Sequence, residues 1–138
     1  MSAESWDWTL RVFDHVEVHA SDYGESIRFY ETVLAPLGIP KLMTQEDWTS
    51  FTNLNVVDRR PATQNLHLCF YAREKLHVDA FHEAGVDAGY RSNGGPGYRE
   101  KYGPGYYAAF LLDPDGNNIE ALYRDEGNIG HGAGATLR

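Results

Sequence analysis

The chain has 138 residues, 42% of them hydrophobic, which is enough for one compact domain with a sizeable core. It carries 20 Asp and Glu against 12 Lys and Arg, and this formal net charge of -8 disfavours binding to nucleic acid or to an anionic membrane. A single cysteine excludes an internal disulfide, and no apolar run is long enough to span a membrane, so we expect a soluble cytoplasmic protein.

The first half of the chain begins with a segment that alternates between polar and apolar residues, which predicts a strand. Val16, Val18 and Ala20 share one face. The other face carries three polar side chains: His15, Glu17 and His19.

A helix is predicted directly after this strand, because a capping residue precedes apolar residues at helical spacing. Ser21 or Asp22 supplies the cap, and Pro36 and Gly38 end the helix. Three short extended segments complete the first half, at residues 41–45, 48–52 and 54–58.

The second half repeats this order. An alternating segment places Leu66, Leu68 and Phe70 on one face, opposite a polar face made by Asn65, His67, Cys69 and Tyr71. A helix follows from about Glu74. Residues 91–105 are rich in glycine and proline, which predicts a long loop, and we expect it to border the mouth of a cavity between the sheets.

The clearest hairpin signal is Asp113-Pro-Asp-Gly116, which joins strands predicted at residues 106–112 and 118–123. In the second of these strands Asn118, Glu120 and Leu122 are expected to face the cavity.

A shift of 52 residues aligns the two halves. It places His15 on His67, Ala20 on Ala72 and Phe29 on Phe81.

The pattern in each half is βαβββ, and the predicted fold class is α+β, with two such modules forming a curved mixed sheet around a metal-binding cavity. We expect one domain over residues 1–126, with module one at about 12–60, module two at about 64–124, and a flexible tail at 127–138.

Two imidazoles and one carboxylate are predicted to converge in this cavity. His15 and His67 recur 52 residues apart at equivalent strand positions, and Glu120 follows His67 by 53 residues. Two neutral nitrogen donors with one carboxylate leave coordination positions open for a substrate, and they suit iron(II), manganese(II) or a related divalent ion.

These residues resemble the vicinal oxygen chelate superfamily, which includes glyoxalase I, extradiol dioxygenases, fosfomycin-resistance thiol transferases and bleomycin-binding proteins. The resemblance covers about residues 12–123 and is carried by Asp14-His-Val-Glu-Val-His-Ala-Ser-Asp22, by His67-Leu-Cys-Phe70, and above all by Ala109-Phe-Leu-Leu-Asp-Pro-Asp-Gly-Asn-Asn-Ile-Glu-Ala-Leu-Tyr123. It implies that His15, His67 and Glu120 are metal ligands. Single-domain bacterial members are the most similar group.

The resemblance also shows where this chain departs from its relatives. Glyoxalase I and methylmalonyl-CoA epimerase place a fourth ligand on the last strand of the first half, where this chain has Leu54-Asn-Val-Val-Asp58. Superfamily members are commonly dimers and sometimes exchange halves. We therefore expect a homodimer, with Trp6 and Trp8 as candidate contacts to the second copy.

The first functional hypothesis is a metal-dependent lyase, isomerase or dioxygenase that acts on a small oxygenated molecule. Its metal ion is iron(II), manganese, nickel or zinc, since the same ligands serve all four. Glu17 and His19 are the candidate bases. The candidate substrate-binding residues are Tyr71, Tyr102, Tyr106, Phe110 and Arg99.

The second hypothesis is a protein without catalysis that sequesters an aromatic or antibiotic-like ligand in the same cavity. Aromatic side chains would line that cavity, namely Trp48, Phe51, Tyr71, Tyr98, Tyr102, Tyr106 and Phe110.

Overall fold

The computed structural model describes residue 7 and residues 9–125 of the chain, and within them the βαβββ order occurs twice. Trp6, Trp8 and the predicted tail at 127–138 lie outside the described residues. The first module consists of β1 (Val16–Ala20), α1 (Tyr23–Leu34), β2 (Met43–Thr44), β3 (Trp48–Phe51) and β4 (Leu54–Asp58). The second consists of β5 (His67–Tyr71), α2 (Lys75–Asp87), β6 (Ser92–Tyr98), β7 (Tyr106–Leu112) and β8 (Asn118–Arg124).

Each module folds into its own four-stranded mixed sheet. The strand orders are β1-β4-β3-β2 and β5-β8-β7-β6, with the first pair of each sheet parallel and the others antiparallel. The repeat extends to the pairing of the strands. Val16 pairs with Leu54 in the first sheet, and its counterpart 52 residues later, Leu68, pairs with Ile119 in the second. The α+β fold class with two βαβββ modules is confirmed, but in the described residues the two sheets stay separate and form no closed barrel.

The prediction of a long loop at residues 91–105 is wrong. Most of that segment is the edge strand β6, followed by a short 3₁₀ helix at Glu100–Tyr102. An edge strand tolerates Pro96 because one side of its backbone needs no partner in the sheet. The pairing of β6 with β7 shifts register between Ser92 and Gly94 and between Gly94 and Gly97, which is how a glycine-rich segment joins the sheet.

Helices cover one face of each sheet, and this decides which strand residues are buried. Val18 and Ala20 of β1 and Ile119 and Ala121 of β8 are buried in one core that both modules share. The largest buried side chains come from the helices and β3: Phe29, Tyr30, Phe51 and Phe81. Phe51 therefore belongs to the core, and its predicted place in the cavity wall is wrong, because alternation along β3 turns it toward the helices.

The turn between β7 and β8 ties the two modules together. Asp113 is buried and accepts hydrogen bonds from Tyr30 Oη of α1 at 2.7 Å, from the backbone N–H groups of Asp115 and Asn117, and from the Asn117 amide. Asn117 in turn accepts the N–H of Leu66 at 3.0 Å, just before β5. This network fixes β5 against β8, the two strands that carry His67 and Glu120.

No helix in the described part of the chain is long and apolar enough to cross a membrane.

Candidate metal centre

The open face of the second sheet brings two of the predicted ligands into contact. Residues of β5 and β8 on this face alternate with residues that point to the helices, as the register of Cys69 with Glu120 shows. His67 Nε2 lies 2.7 Å from Glu120 Oε1. The Glu120 side chain is 1% exposed and that of His67 is 53% exposed, so the pair lies at the floor of an accessible site.

Tyr106 holds the second carboxylate oxygen of Glu120 by a hydrogen bond. The Tyr106 hydroxyl donates to Glu120 Oε2 at 2.5 Å, and the Arg124 guanidinium lies 5.5 Å from the centre of the Tyr106 ring. Burial, and then the bond to Glu120, raise the pKa of Tyr106, so its hydroxyl remains a donor at neutral pH. The carboxylate therefore has one oxygen fixed by the protein and the other directed at His67.

His15 lies on the other module, just before β1, and does not join this pair within one chain. Over residues 7 and 9–125, no three His, Cys, Asp or Glu side chains come close enough together to hold an ion. The His15 ring is 55% exposed, and its Nδ1 lies 2.8 Å from Asp14 Oδ2. Such a contact fixes the ring and leaves Nε2 without a hydrogen-bond partner among the described residues, as in metal sites where a carboxylate orients a ligand histidine.

The three residues fit a divalent metal ion by donor type. Two imidazoles and one carboxylate form a set that binds iron(II), manganese(II) or zinc. His67 and Glu120 are already assembled by the sheet, whereas His15 is presented separately. The assignment of all three as ligands stays a prediction.

The predicted base candidates lie on the open face of the first sheet. His19 Nε2 is 2.6 Å from Glu17 Oε2, and Arg59 approaches the same carboxylate at 3.8 Å. Of the two, Glu17 borders a cavity of about 260 Å³, which is lined by Glu17, Asp47, Trp48, Asn55, Val57 and Arg59. Glu17 and Cys69 occupy equivalent positions in the two modules. Asn55 pairs with Glu17, and Glu120 pairs with Cys69, so Asn55 is the counterpart of Glu120 in the first module.

A cavity of about 420 Å³ opens over the His67 and Glu120 pair, within the size range of small-molecule sites. Three of the predicted substrate-binding residues line it, namely Tyr102, Tyr106 and Phe110. Tyr71 is 67% exposed and is not part of that lining. Asn118 also lines the cavity, as its alternation with Ile119 along β8 predicted, although the sequence did not mark it as a substrate-binding residue.

Arg99 is held close to this cavity by backbone oxygens. Its guanidinium donates to the carbonyls of Gly95, Gly97 and Ala108, each at 2.8 Å, and lies 5.2 Å from the centre of the Phe110 ring. The side chain thus also holds the irregular strand β6 against β7.

Cys69 is adjacent to Glu120, and we expect its thiol to be unreactive. Burial of the thiol, and then the charge of Glu120, raise the pKa of Cys69 to about 12, although part of the residue is exposed. Because the thiolate is the nucleophile, a raised pKa lowers reactivity at pH 8. Alkylation by iodoacetamide at pH 8 should be at least about tenfold slower in the folded protein than in the urea-unfolded chain. Equal rates would contradict this expectation.

Solved structures share this architecture. A glyoxalase/bleomycin resistance protein from Albidiferax ferrireducens is 34% identical, with a TM-score of 0.71 over 83% of this chain and 99% of that one. A lactoylglutathione lyase from Agrobacterium tumefaciens is 19% identical, with a TM-score of 0.61 over 83% and 94% of the two chains. A glyoxalase/bleomycin resistance protein/dioxygenase family enzyme from Burkholderia phytofirmans is 17% identical, with a TM-score of 0.63 over 80% and 97%.

No protein-family model and no curated protein matches the chain.

Proposed function

The chain belongs to the glyoxalase/bleomycin resistance group of the vicinal oxygen chelate superfamily, and on that premise we propose that it is a metal-dependent enzyme. Its substrate is a small organic molecule that chelates a divalent ion through neighbouring oxygens. The observation that carries the proposal is the contact of 2.7 Å between His67 Nε2 and Glu120 Oε1 at the floor of a cavity of about 420 Å³.

The chain's own residues divide the work at this centre. His67 and Glu120, with His15, would hold the ion, which would supply Lewis-acid stabilisation of negative charge on a substrate oxygen. Tyr106 positions Glu120 through its second oxygen, and the apolar ring of Phe110, 6.2 Å from the His67 ring, helps to exclude water.

His15 reaches the other two ligands, in this proposal, from a second copy of the chain. Each sheet of one copy has an open polar face, and the two faces lie on separate sheets. A homodimer that exchanges halves places the β1 face of one copy over the β5 and β8 face of the other. Both sites of such a dimer are then complete.

Proton transfer belongs to Glu17 and His19 in this arrangement. They follow His15 on the same face of β1, so whatever brings His15 to the metal centre also brings them. Their contact of 2.6 Å lets one carboxylate orient one imidazole, which is the usual pairing of a general base with the group that orients it.

Metal analysis is the direct test of this function. Protein purified without chelator and then dialysed against Mn²⁺ is expected to hold about one ion per chain, and chelation should abolish that signal reversibly. A protein that stays free of Fe²⁺, Mn²⁺, Ni²⁺ and Zn²⁺ after dialysis would contradict the enzyme proposal.

The alternative function is sequestration of an aromatic ligand without catalysis. The lining by Tyr102, Tyr106 and Phe110 favours it, since aromatic rings stack on such ligands. A chain that binds aromatic compounds equally well with and without a metal ion, and converts none of them, supports this alternative.

A further inference from the structure

We propose that the substrate of this metal centre is an aromatic molecule that carries an anionic group, such as a carboxylate, and that Arg99 and Lys101 bind that group in a separate subsite. The proposal rests on the proposed function, because it places the chelating oxygens of the substrate at His67 and Glu120.

A second cavity, of about 280 Å³, adjoins the cavity over the metal centre. Tyr102, Phe110 and Asn118 line both, so the two spaces share a common wall. The second cavity is otherwise lined by Asn93, Arg99 and Lys101. The two cavities are therefore adjacent, and one elongated molecule bound at the metal centre could contact residues of both.

The charge of this second cavity is opposite to that of the protein. The chain has a net charge of -8, yet the described residues that line this cavity include two cations and no carboxylate. Such a local excess of positive charge attracts anions and would be unfavourable for a neutral or cationic group.

Arg99 is prepared to bind an anion because its position is already fixed. Three backbone carbonyls hold its Nη1 and Nη2 groups, and the face of Phe110 lies 5.2 Å away. Among the described residues the Arg99 Nε–H makes no hydrogen bond, so it can donate to a ligand. A cation held in place in advance loses little entropy on binding.

The wall between the two cavities is suited to an aromatic ring. The Tyr102 and Tyr106 rings lie 5.3 Å apart, and the Phe110 ring lies 5.2 Å from the Arg99 guanidinium and 6.2 Å from the His67 ring. Across this wall the amide of Asn93 donates to Asn118 Oδ1 at 3.0 Å, which leaves the Asn118 amide N–H groups for a ligand. A flat ring with oxygens at one end and an anion at the other matches this sequence of groups.

The test compares 3,4-dihydroxybenzoate with 3,4-dihydroxybenzamide, which has the same shape and lacks the charge. Affinities are measured by calorimetry on metal-free and on Mn²⁺-loaded protein. The benzoate is expected to bind at least about fivefold more tightly than the benzamide in both forms, and 0.5 M NaCl should reduce that preference. Equal affinities for the two compounds would overturn the subsite.

Variants locate the effect. Lys101→Gln should lower the preference for the benzoate about threefold, and Arg99→Gln should abolish it. The matched control is Lys41→Gln, which removes an equal charge next to Glu31 on the first module and should leave the preference unchanged. If Arg99→Gln fails to fold, Lys101→Gln still decides, because an unchanged preference in that variant would place the anion elsewhere.

The failure of this inference is distinguishable from that of the proposed function. A protein that binds Mn²⁺ but does not prefer the benzoate keeps its metal centre and loses the subsite. A protein that prefers the benzoate but binds no metal keeps the anion subsite. That result overturns the proposal that one substrate binds both a metal ion and this subsite.

Discussion

Replacing Glu120 by Gln is expected to weaken Mn²⁺ binding by roughly 100-fold or more while the protein stays folded. The change removes the one anionic donor of the proposed centre, and direct ligands cost at least as much as the outer contacts that orient them. The amide keeps the shape of the carboxylate, and its oxygen still accepts a hydrogen bond from the Tyr106 hydroxyl. The substitution therefore leaves neither a cavity nor an unpaired Tyr106 hydroxyl.

Calorimetric titration with Mn²⁺ measures this loss, and circular dichroism reports the fold. Glu83→Gln is the matched control, since it removes the same charge from an exposed position on α2. Unchanged affinity in Glu120→Gln would remove Glu120 from the ligand set. Loss of folding in Glu120→Gln would instead assign Glu120 a structural role.

Replacing Asp113 by Ala is expected to lower the free energy of unfolding by about 3 to 5 kcal/mol, because several buried donors then lose their acceptor. These donors are the Tyr30 hydroxyl, the N–H groups of Asp115 and Asn117, and the Asn117 amide. Tyr30→Phe should cost less, about 1 to 2 kcal/mol, because it removes one hydrogen bond of the network.

Urea denaturation at neutral pH measures both changes. Asp87→Ala, at the exposed end of α2, serves as the control and should change stability by less than about 0.5 kcal/mol. If Asp113→Ala were as stable as this control, the turn would not be what fixes the β5 strand beside β8.

Most of the fold could be predicted from the sequence because each strand buries only one face. The alternation at Val16, Val18 and Ala20, and its recurrence 52 residues later, sets both the strand positions and the face that the helices cover. The same alternation predicts that Glu120 lies on the open face, where it meets His67.

The strand β6 could not be predicted in this way. Its seven residues include three glycines and a proline, so neither propensity nor alternation marks a strand. Contacts from elsewhere supply what the segment lacks: pairing to β7, and the hydrogen bonds of Arg99 to Gly95 and Gly97. Such long-range interactions are invisible in a local pattern.

The position of His15 relative to the other ligands also could not be predicted from the sequence. The repeat predicts that His15 and His67 occupy equivalent positions in two modules, and they do: His15 directly precedes β1, and His67 is the first residue of β5. Whether two equivalent positions face one another depends on how the sheets are arranged. In one chain they lie on separate sheets, and the proposed convergence requires a second copy.

Mixing two inactive variants tests this shared metal centre most directly. One chain carries His15→Ala and the other Glu120→Gln, and each alone should bind Mn²⁺ weakly. If halves are exchanged, a dimer of the two variants has both lesions in one site and leaves the other site intact. After unfolding and refolding of the mixture, calorimetry should find one tight site per mixed dimer. A mixture that binds Mn²⁺ no better than either variant alone would contradict a metal centre built from His15 of one copy and His67 and Glu120 of the other.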